Sequence, residues 1–180
     1  GRETLREMIR RGGDRYELLV ERGYVFRSLD PKRWGEEVRF IHGVMTQSFD
    51  GFLGVTPLPV AELARMLEKV KRLLRPEFCV LARNERGEPA GFSLALPEQG
   101  AAVQAMRGET NLPARIRYAC RARRAEAVNF YLGGITPEEI ARRSGLGRAG
   151  FYAVIDAVLK GGYEKLLLTL RLKGNAAHAL

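Results

Sequence analysis

The chain has 180 residues, 46% hydrophobic and 28% charged, and its 30 lysines and arginines exceed its 21 acids to leave a net charge of +9. That composition can bury a core and excludes a disordered chain; no run approaches the ~18 apolar residues of a membrane span and no apolar leader opens the sequence, so a cytoplasmic protein without membrane contact is expected. Cys79 and Cys120 lack CxxC spacing and the only histidines are His42 and His178, so neither a disulfide framework nor a metal site is expected, while the positive excess points to an anionic partner, either nucleic acid or a phosphate-bearing small molecule.

Residues 3–22 are charged and helix-prone but interrupted by Gly12-Gly13, and they read as an N-terminal helical appendage (residues 1–22) to a domain of residues 23–180. Residues 24–29 alternate and carry aromatic and β-branched side chains before Asp30-Pro31, the pattern of a strand followed by a helix start. Trp34, Val38, Ile41, Met45 and Phe49 then fall on one helical face. After a Gly- and Pro-rich stretch at 51–59, Leu63, Leu67, Val70 and Leu74 mark a second amphipathic helix, ended by Arg75-Pro76. Residues 78–82 and 90–96 flank a polar, Gly-containing connector at 84–88, which predicts a β-hairpin.

Beyond Pro97 the pattern is poor and ends in Arg115, Arg117, Arg121, Arg123 and Arg124. Few aromatics are interleaved for base stacking, so a solvated helix face is expected there rather than a nucleic-acid surface. Residues 127–132 form a third convincing strand, and Gly133-Gly134 mark backbone that is left open or closely approached. Residues 151–159 are helical and capped by Gly161-Gly162, and residues 166–170 read as an apolar strand of the kind buried on both faces. The whole is an α/β (α+β) mixture: strands near 24–29, 77–83, 89–96, 126–134 and 164–172 in one mostly antiparallel sheet, with helices on both faces.

The most informative stretch is residues 142–149, between a strand and a helix. Gly145 and Gly147 let the backbone turn its amides inward, and the following helix presents its positive N-terminal dipole to the same spot, a concavity suited to pyrophosphate. Read with its surroundings, the chain resembles the GNAT superfamily, the Gcn5-related acyl-CoA N-acyltransferases, over residues 24–180. The family's R/Q-x-x-G-x-G/A signature is matched by Arg142, Gly145 and Gly147, and the helix it opens ends at Gly162-Tyr163, as often in the family. Ile135-Thr136-Pro137 is similar to the V-x-P exit from the family's fourth strand, Glu88-Pro89-Ala90-Gly91-Phe92 resembles its G-x-x-V-G-F pattern, and Asn175 falls where an Asn often opens the next helix. Between Pro137 and Arg142 lie two residues more than the commonest spacing, and the sequence reaches Leu180 before the family's usual final strands.

The resemblance implies a GNAT-like acyl-CoA N-acyltransferase fold and transfer of an acetyl or other acyl group from acetyl-CoA, as co-substrate, to an amine. It implies that the amides of Leu146, Gly147, Arg148 and Ala149 hold the pyrophosphate with Arg142, that Ile135 offers backbone groups to the pantetheine arm, and that the Gly133 amide donates to the oxyanion. Asn175 is expected beside the sulfur end, and Tyr131 either faces the acceptor groove or packs in the sheet. Asn129 cannot ionise, so the proton acceptor is water or a carboxylate elsewhere, such as Glu126, or the amine arrives neutral. The expected acceptor is a small-molecule or peptide amine chosen by residues 51–59 and 97–113; a homodimer is left open.

Two other classes stay in view. Residues 136–160 also resemble a DNA-binding helix-turn-helix, placed second because Gly147 and Gly150 suit a recognition helix poorly and the hairpin of residues 78–96 is left unexplained. A GNAT-like module that binds acyl-CoA without catalysis is the third. Cys79 reads as core, Cys120 as a surface residue among arginines, His42 as a polar position beside the core, and His178 as solvated.

Overall fold

The computed structural model describes residues 2–50 and 58–168. Among these residues five strands form one sheet in the order β1 (Val25–Ser28), β2 (Cys79–Arg83), β3 (Pro89–Pro97), β4 (Ala127–Ile135), β5 (Lys165–Leu168). The β1–β2, β2–β3 and β3–β4 pairs are antiparallel, and β5 lies parallel to β4. The 84–88 connector closes the predicted hairpin, with the Asn84 side chain accepting from the amides of Arg86 and Glu88 and so building the turn.

The period-two alternation of the strands sorts the core into two layers. Cys79, Leu81, Phe92 and Leu94 face α2 (Trp34–Ser48) and α3 (Val60–Val70), which bring Val38, Ile41, Val44, Leu63 and Leu67 to that side. Val80, Ala95 and Val128 face α7 (Leu146–Lys160), whose Phe151, Val154, Ile155 and Val158 are buried. Covered on both faces, β2 and β3 read as nearly continuous apolar runs. Cys79 lies in this core as expected, with its thiol pushed up to about 12 by burial.

Helix α1 (Arg2–Glu21) runs unbroken through the glycine pair where an interruption was expected. Its Leu5 and Leu19 are buried, and the helix packs along α7. Burying such side chains contributes about 1.5–3 kcal/mol each, which exceeds the ~1 kcal/mol a helical glycine costs, so tertiary contact overrides local propensity. The stretch after Pro97 also gains order that its pattern did not show: α4 (Gly100–Ala105) and α5 (Leu112–Ala122), the latter capped by Asn111, whose side chain accepts from the Ala114 amide at 3.0 Å.

Strand β5 departs from its expected environment. Its Leu167 and Leu168 are exposed, because β5 is the outer strand of the described sheet and lacks the double cover its composition implied; residues 169–172 of the predicted strand lie outside the described residues. The segment resembling a helix-turn-helix is one short turn, α6 (Pro137–Ala141), followed by α7 laid across the sheet. The inward side of α7, Phe151 included, is committed to the sheet core.

Candidate active site at the end of the fourth strand

Strand β4 is paired with β3 through Ile135, and with β5 through Phe130 opposite Leu168, the last described residue. Thr136 donates its amide to the Ala90 carbonyl at 2.9 Å, and the two-residue alternation of an antiparallel ladder therefore turns Gly134 toward β3 as well. By the same alternation Gly133 and Ile135 direct their N–H and C=O groups to the opposite side, past the end of the described β4–β5 pairing. The Ile135 carbonyl accepts from Ser48 Oγ at 2.7 Å; this hydroxyl also lies 2.7 Å from the Val44 carbonyl, so its single proton serves one of them at a time.

Both glycines are closely approached. A Cβ on Gly133 would come within 2.9 Å of Phe130, and one on Gly134 within 2.9 Å of Phe92 and 3.0 Å of Ser48 Oγ. One step upstream the ladder slips: Leu94 faces Leu132 while Ala95 faces Phe130, which leaves Tyr131 as the extra residue of a β-bulge, 47% exposed.

From Ile135 the chain enters α6, reverses through Arg143 and Gly145, both at positive φ (50° and 79°), and opens α7 at Leu146. Buried Ser144 organises the reversal: its hydroxyl donates to the Glu139 carbonyl at 3.3 Å and accepts from the Leu146 amide at 3.2 Å. The Ala149 amide bonds to the Gly145 carbonyl at 3.1 Å. Of the four amides expected to hold a pyrophosphate, those of Leu146 and Ala149 are thus engaged inside the loop, whereas the Gly147 amide has no acceptor among the described residues. Arg148 is exposed on the first turn.

Gly147 serves packing as well. A Cβ there would come within 2.5 Å of Ile135 Cδ1, and Gly91 meets Leu146 in the same way at 3.2 Å. The cavity left beneath this first turn is about 20 Å³, lined by Gly91, Gly134, Gly147 and Gly150, enough for one water and nothing larger. The helix start therefore sits directly on the end of β4.

Charge around the loop differs from the sequence expectation. Arg142 turns toward the β2–β3 connector, bonding Glu85 at 2.8 Å and Glu138 at 2.7 Å, and Arg86 shares the same Glu138 oxygen. Half-buried Arg15 of α1 lies over Gly145, where a Cβ would come within 2.6 Å of its Nε, and it has no ion pair among the described residues. Behind the loop, Glu139 is buried and accepts from the Tyr24 hydroxyl at 2.8 Å. Burial, and then the Glu139 carboxylate, push Tyr24 up to about 12.

The structure gathers Gly133, Ile135, Gly145, Leu146 and Gly147 at one end of β4, with Tyr131 at the bulge upstream. Asn175 and His178 lie outside the described residues. Glu126 precedes β4 at its far end, seven residues from Gly133 and so roughly 20 Å away, which removes it as a proton acceptor near that amide. His42 bonds the Leu58 carbonyl at 2.7 Å, a structural contact. Among the described residues no cluster of metal-ligating side chains occurs. A separate cavity of about 720 Å³ lies between α1, β1 and α7, lined by residues such as Ile9, Tyr16, Phe26 and Tyr152. Sequence reasoning missed Ser48, Arg15, Glu139 and Ser144. Only Ser144 carried a local signal, a small hydroxyl residue just before a helix start.

No protein-family model and no curated protein sequence matches the chain significantly. Solved structures do. A GCN5-related N-acetyltransferase from Sphaerobacter thermophilus superposes at a TM-score of 0.56 with 16% identity over 86% of this chain, which spans 38% of that one. A GNAT family acetyltransferase from Brucella melitensis, in complex with acetyl-CoA, gives 0.56 and 13% over 88% of this chain and 82% of its own. The Salmonella typhimurium protein yncA, with acetyl-CoA as its cofactor, gives 0.55 and 13% over 87% and 75%. The fold is that of the GNAT acetyltransferases.

Proposed function

We propose that this chain is an acyl-CoA-dependent N-acyltransferase, with acetyl-CoA as acyl donor and an amine as acceptor. The observation that carries the reading is the end of β4, where outward-facing main-chain groups of Gly133 and Ile135 lead directly into the α7 start and its Gly147 amide. Main-chain groups of Gly133 and Ile135 directed away from β3 suit an extended amide-bearing arm, and a helix start beside Arg15, which has no ion pair among the described residues, suits a phosphate. That two structures of this fold hold acetyl-CoA agrees with it.

Acetyl-CoA supplies an acyl thioester, in which nitrogen replaces sulfur on the carbonyl carbon. In the protein's part, the Gly147 amide and Arg15 meet the pyrophosphate, and the Ile135 backbone fixes the arm. The Gly133 amide donates to the carbonyl oxygen as it gains negative charge, a contact that strengthens in the transition state. The amine arrives neutral or first gives a proton to water, its nitrogen gives up one further proton to water as the amide forms, and the thiolate leaves with a proton from solvent or from the Tyr131 hydroxyl, which the bulge keeps exposed.

The test is calorimetry with acetyl-CoA on wild type and on Arg15→Glu, which replaces the cation that meets the phosphate by an anion without adding a side chain at the packed Gly147. An affinity loss of at least about tenfold is expected from the repulsion, with folding checked by circular dichroism. Equal affinity sinks the site. Thiol release is then followed with a panel of amines; tight binding without turnover on any of them identifies a non-catalytic binding module.

A further inference from the structure

The connection between β3 and β4 is a helical hairpin. It leaves the sheet at Pro97 and returns at Ala127, where the Glu98 amide bonds the Ala127 carbonyl at 2.9 Å. Helices α4 and α5 pack chiefly on each other, through buried Ala102 and Ala114 and the Tyr118 hydroxyl, which donates to Gln99 at 2.8 Å. Residues 100–125 hold six arginines against one acid, Glu109, so more than half of the chain's +9 sits on this hairpin. Arg117 pairs with Glu109 at 2.7 Å, whereas Arg107, Arg115, Arg121, Arg123 and Arg124 are exposed and have no ion pair among the described residues. Elsewhere exposed arginines such as Arg33, Arg86 and Arg142 sit beside carboxylates.

The outer side of α5 is apolar as well as basic. Leu112, Ile116, Ala119 and Cys120 follow one another at helical spacing, all exposed, with Leu112 at 70% and Ile116 at 56%, and Arg115 and Arg123 border the strip. A phosphodiester backbone gains nothing from such a strip, and the hairpin exposes no aromatic ring for base stacking. An acidic polypeptide with apolar side chains one helical turn apart satisfies both the arginines and the strip.

Location gives the surface its use. Strand β4 spans about 26 Å from Ala127 to Ile135, and the hairpin stands at its first residue while the α7 loop stands at its last. A donor whose phosphates lie at the loop and whose arm runs along Ile135 and Gly133 occupies one end of β4, so the acceptor approaches from the other. We propose that the α4–α5 hairpin is the acceptor-docking surface of this protein and that it selects an acidic protein or peptide segment carrying the amine. The proposal rests on the acyltransfer reading above and assigns it an acceptor class.

Three fluorescent 16-residue peptides with leucine at every fourth position and one free amine, otherwise rich in Glu, Ser or Lys, are titrated by anisotropy against wild type and Arg115→Glu/Arg123→Glu. The Glu peptide is expected to bind wild type at least about tenfold tighter than the Ser peptide, to weaken at 0.5 M salt, and to lose its preference in the variant. The acetyl-CoA dissociation constant is expected to be the same in both proteins. Under turnover the variant should raise KM for the Glu peptide with kcat little changed. Equal binding of the three peptides overturns the proposal, as does tighter binding of a 20-nucleotide RNA or of vesicles containing phosphatidylserine at the same arginines. Peptide preference without any acetyl-CoA binding overturns the acyltransfer reading instead, and acetyl-CoA binding without peptide preference overturns only the docking surface.

Discussion

Tyr24 and Glu139 bring together two residues 115 positions apart in a buried bond that no local pattern announces. The Tyr24 pKa is raised, so between about pH 10 and 12 the folded chain holds a proton that the unfolded chain has released. The stability from that bond is fully present below pH 10 and is lost as pH rises through 12. The Cys79 thiol, raised from 9.0 to about 12, acts in the same direction. A thermal melt series from pH 9 to 12 should show Tm falling across this window in wild type and falling less in Tyr24→Phe, which itself should lose about 1–3 kcal/mol at pH 7 by stranding a buried carboxylate oxygen. A second buried acid, Glu37, is fully enclosed and held by Arg27 at 2.8 Å, while Arg27 keeps 31% of its side chain exposed. Arg27→Met should therefore cost up to about 3 kcal/mol, the low end for breaking a buried pair, and adding Glu37→Leu should recover most of it in urea titrations.

At the scale of elements, the first turn of α7 depends on the fit between Gly147 and Ile135. The clash a Cβ would make is with the far end of a flexible side chain, so Gly147→Ala should cost about 1–3 kcal/mol rather than prevent folding, and Ile135→Val in the same chain should restore part of the loss by equilibrium unfolding. The elements best foretold by the sequence are those whose periodicity faces a single partner: α2 against the sheet, the β2–β3 hairpin and β4. Where partners are distant in the chain, pattern misled, as in the unbroken α1 and the exposed leucines of β5. The site divides on the same line. Its glycines were legible because backbone conformation and close approach demand them, whereas Arg15, Ser48 and Glu139 arrive from other elements, and the arginine of the signature, Arg142, is drawn away by Glu85 and Glu138.

At the scale of the described residues as a whole, two helical layers flank a five-stranded sheet, with the α7 loop at one end of β4 and an excess of cation at the other. If the loop binds acetyl-CoA only in the folded state, ligand at about a hundred times its dissociation constant should stabilise the chain by roughly 2.7 kcal/mol and raise Tm by several degrees, whereas duplex DNA should not. A DNA-induced shift of that size, absent with acetyl-CoA, would restore the helix-turn-helix reading. Scanning fluorimetry on one protein preparation distinguishes them.

The pairing of α1 with α7 also sets an order of events during synthesis. About 125 residues separate Glu21 from Leu146, an interval of roughly 6–25 s at 5–20 residues per second. Throughout that time the stripe that includes Leu5 and Leu19 lacks the helix that later buries it, so the nascent chain presents α1 as a sticky surface long before the sheet is complete. Chaperone demand within this chain is thus concentrated on α1, and a ribosome stalled before residue 146 should display a long-lived chaperone contact there.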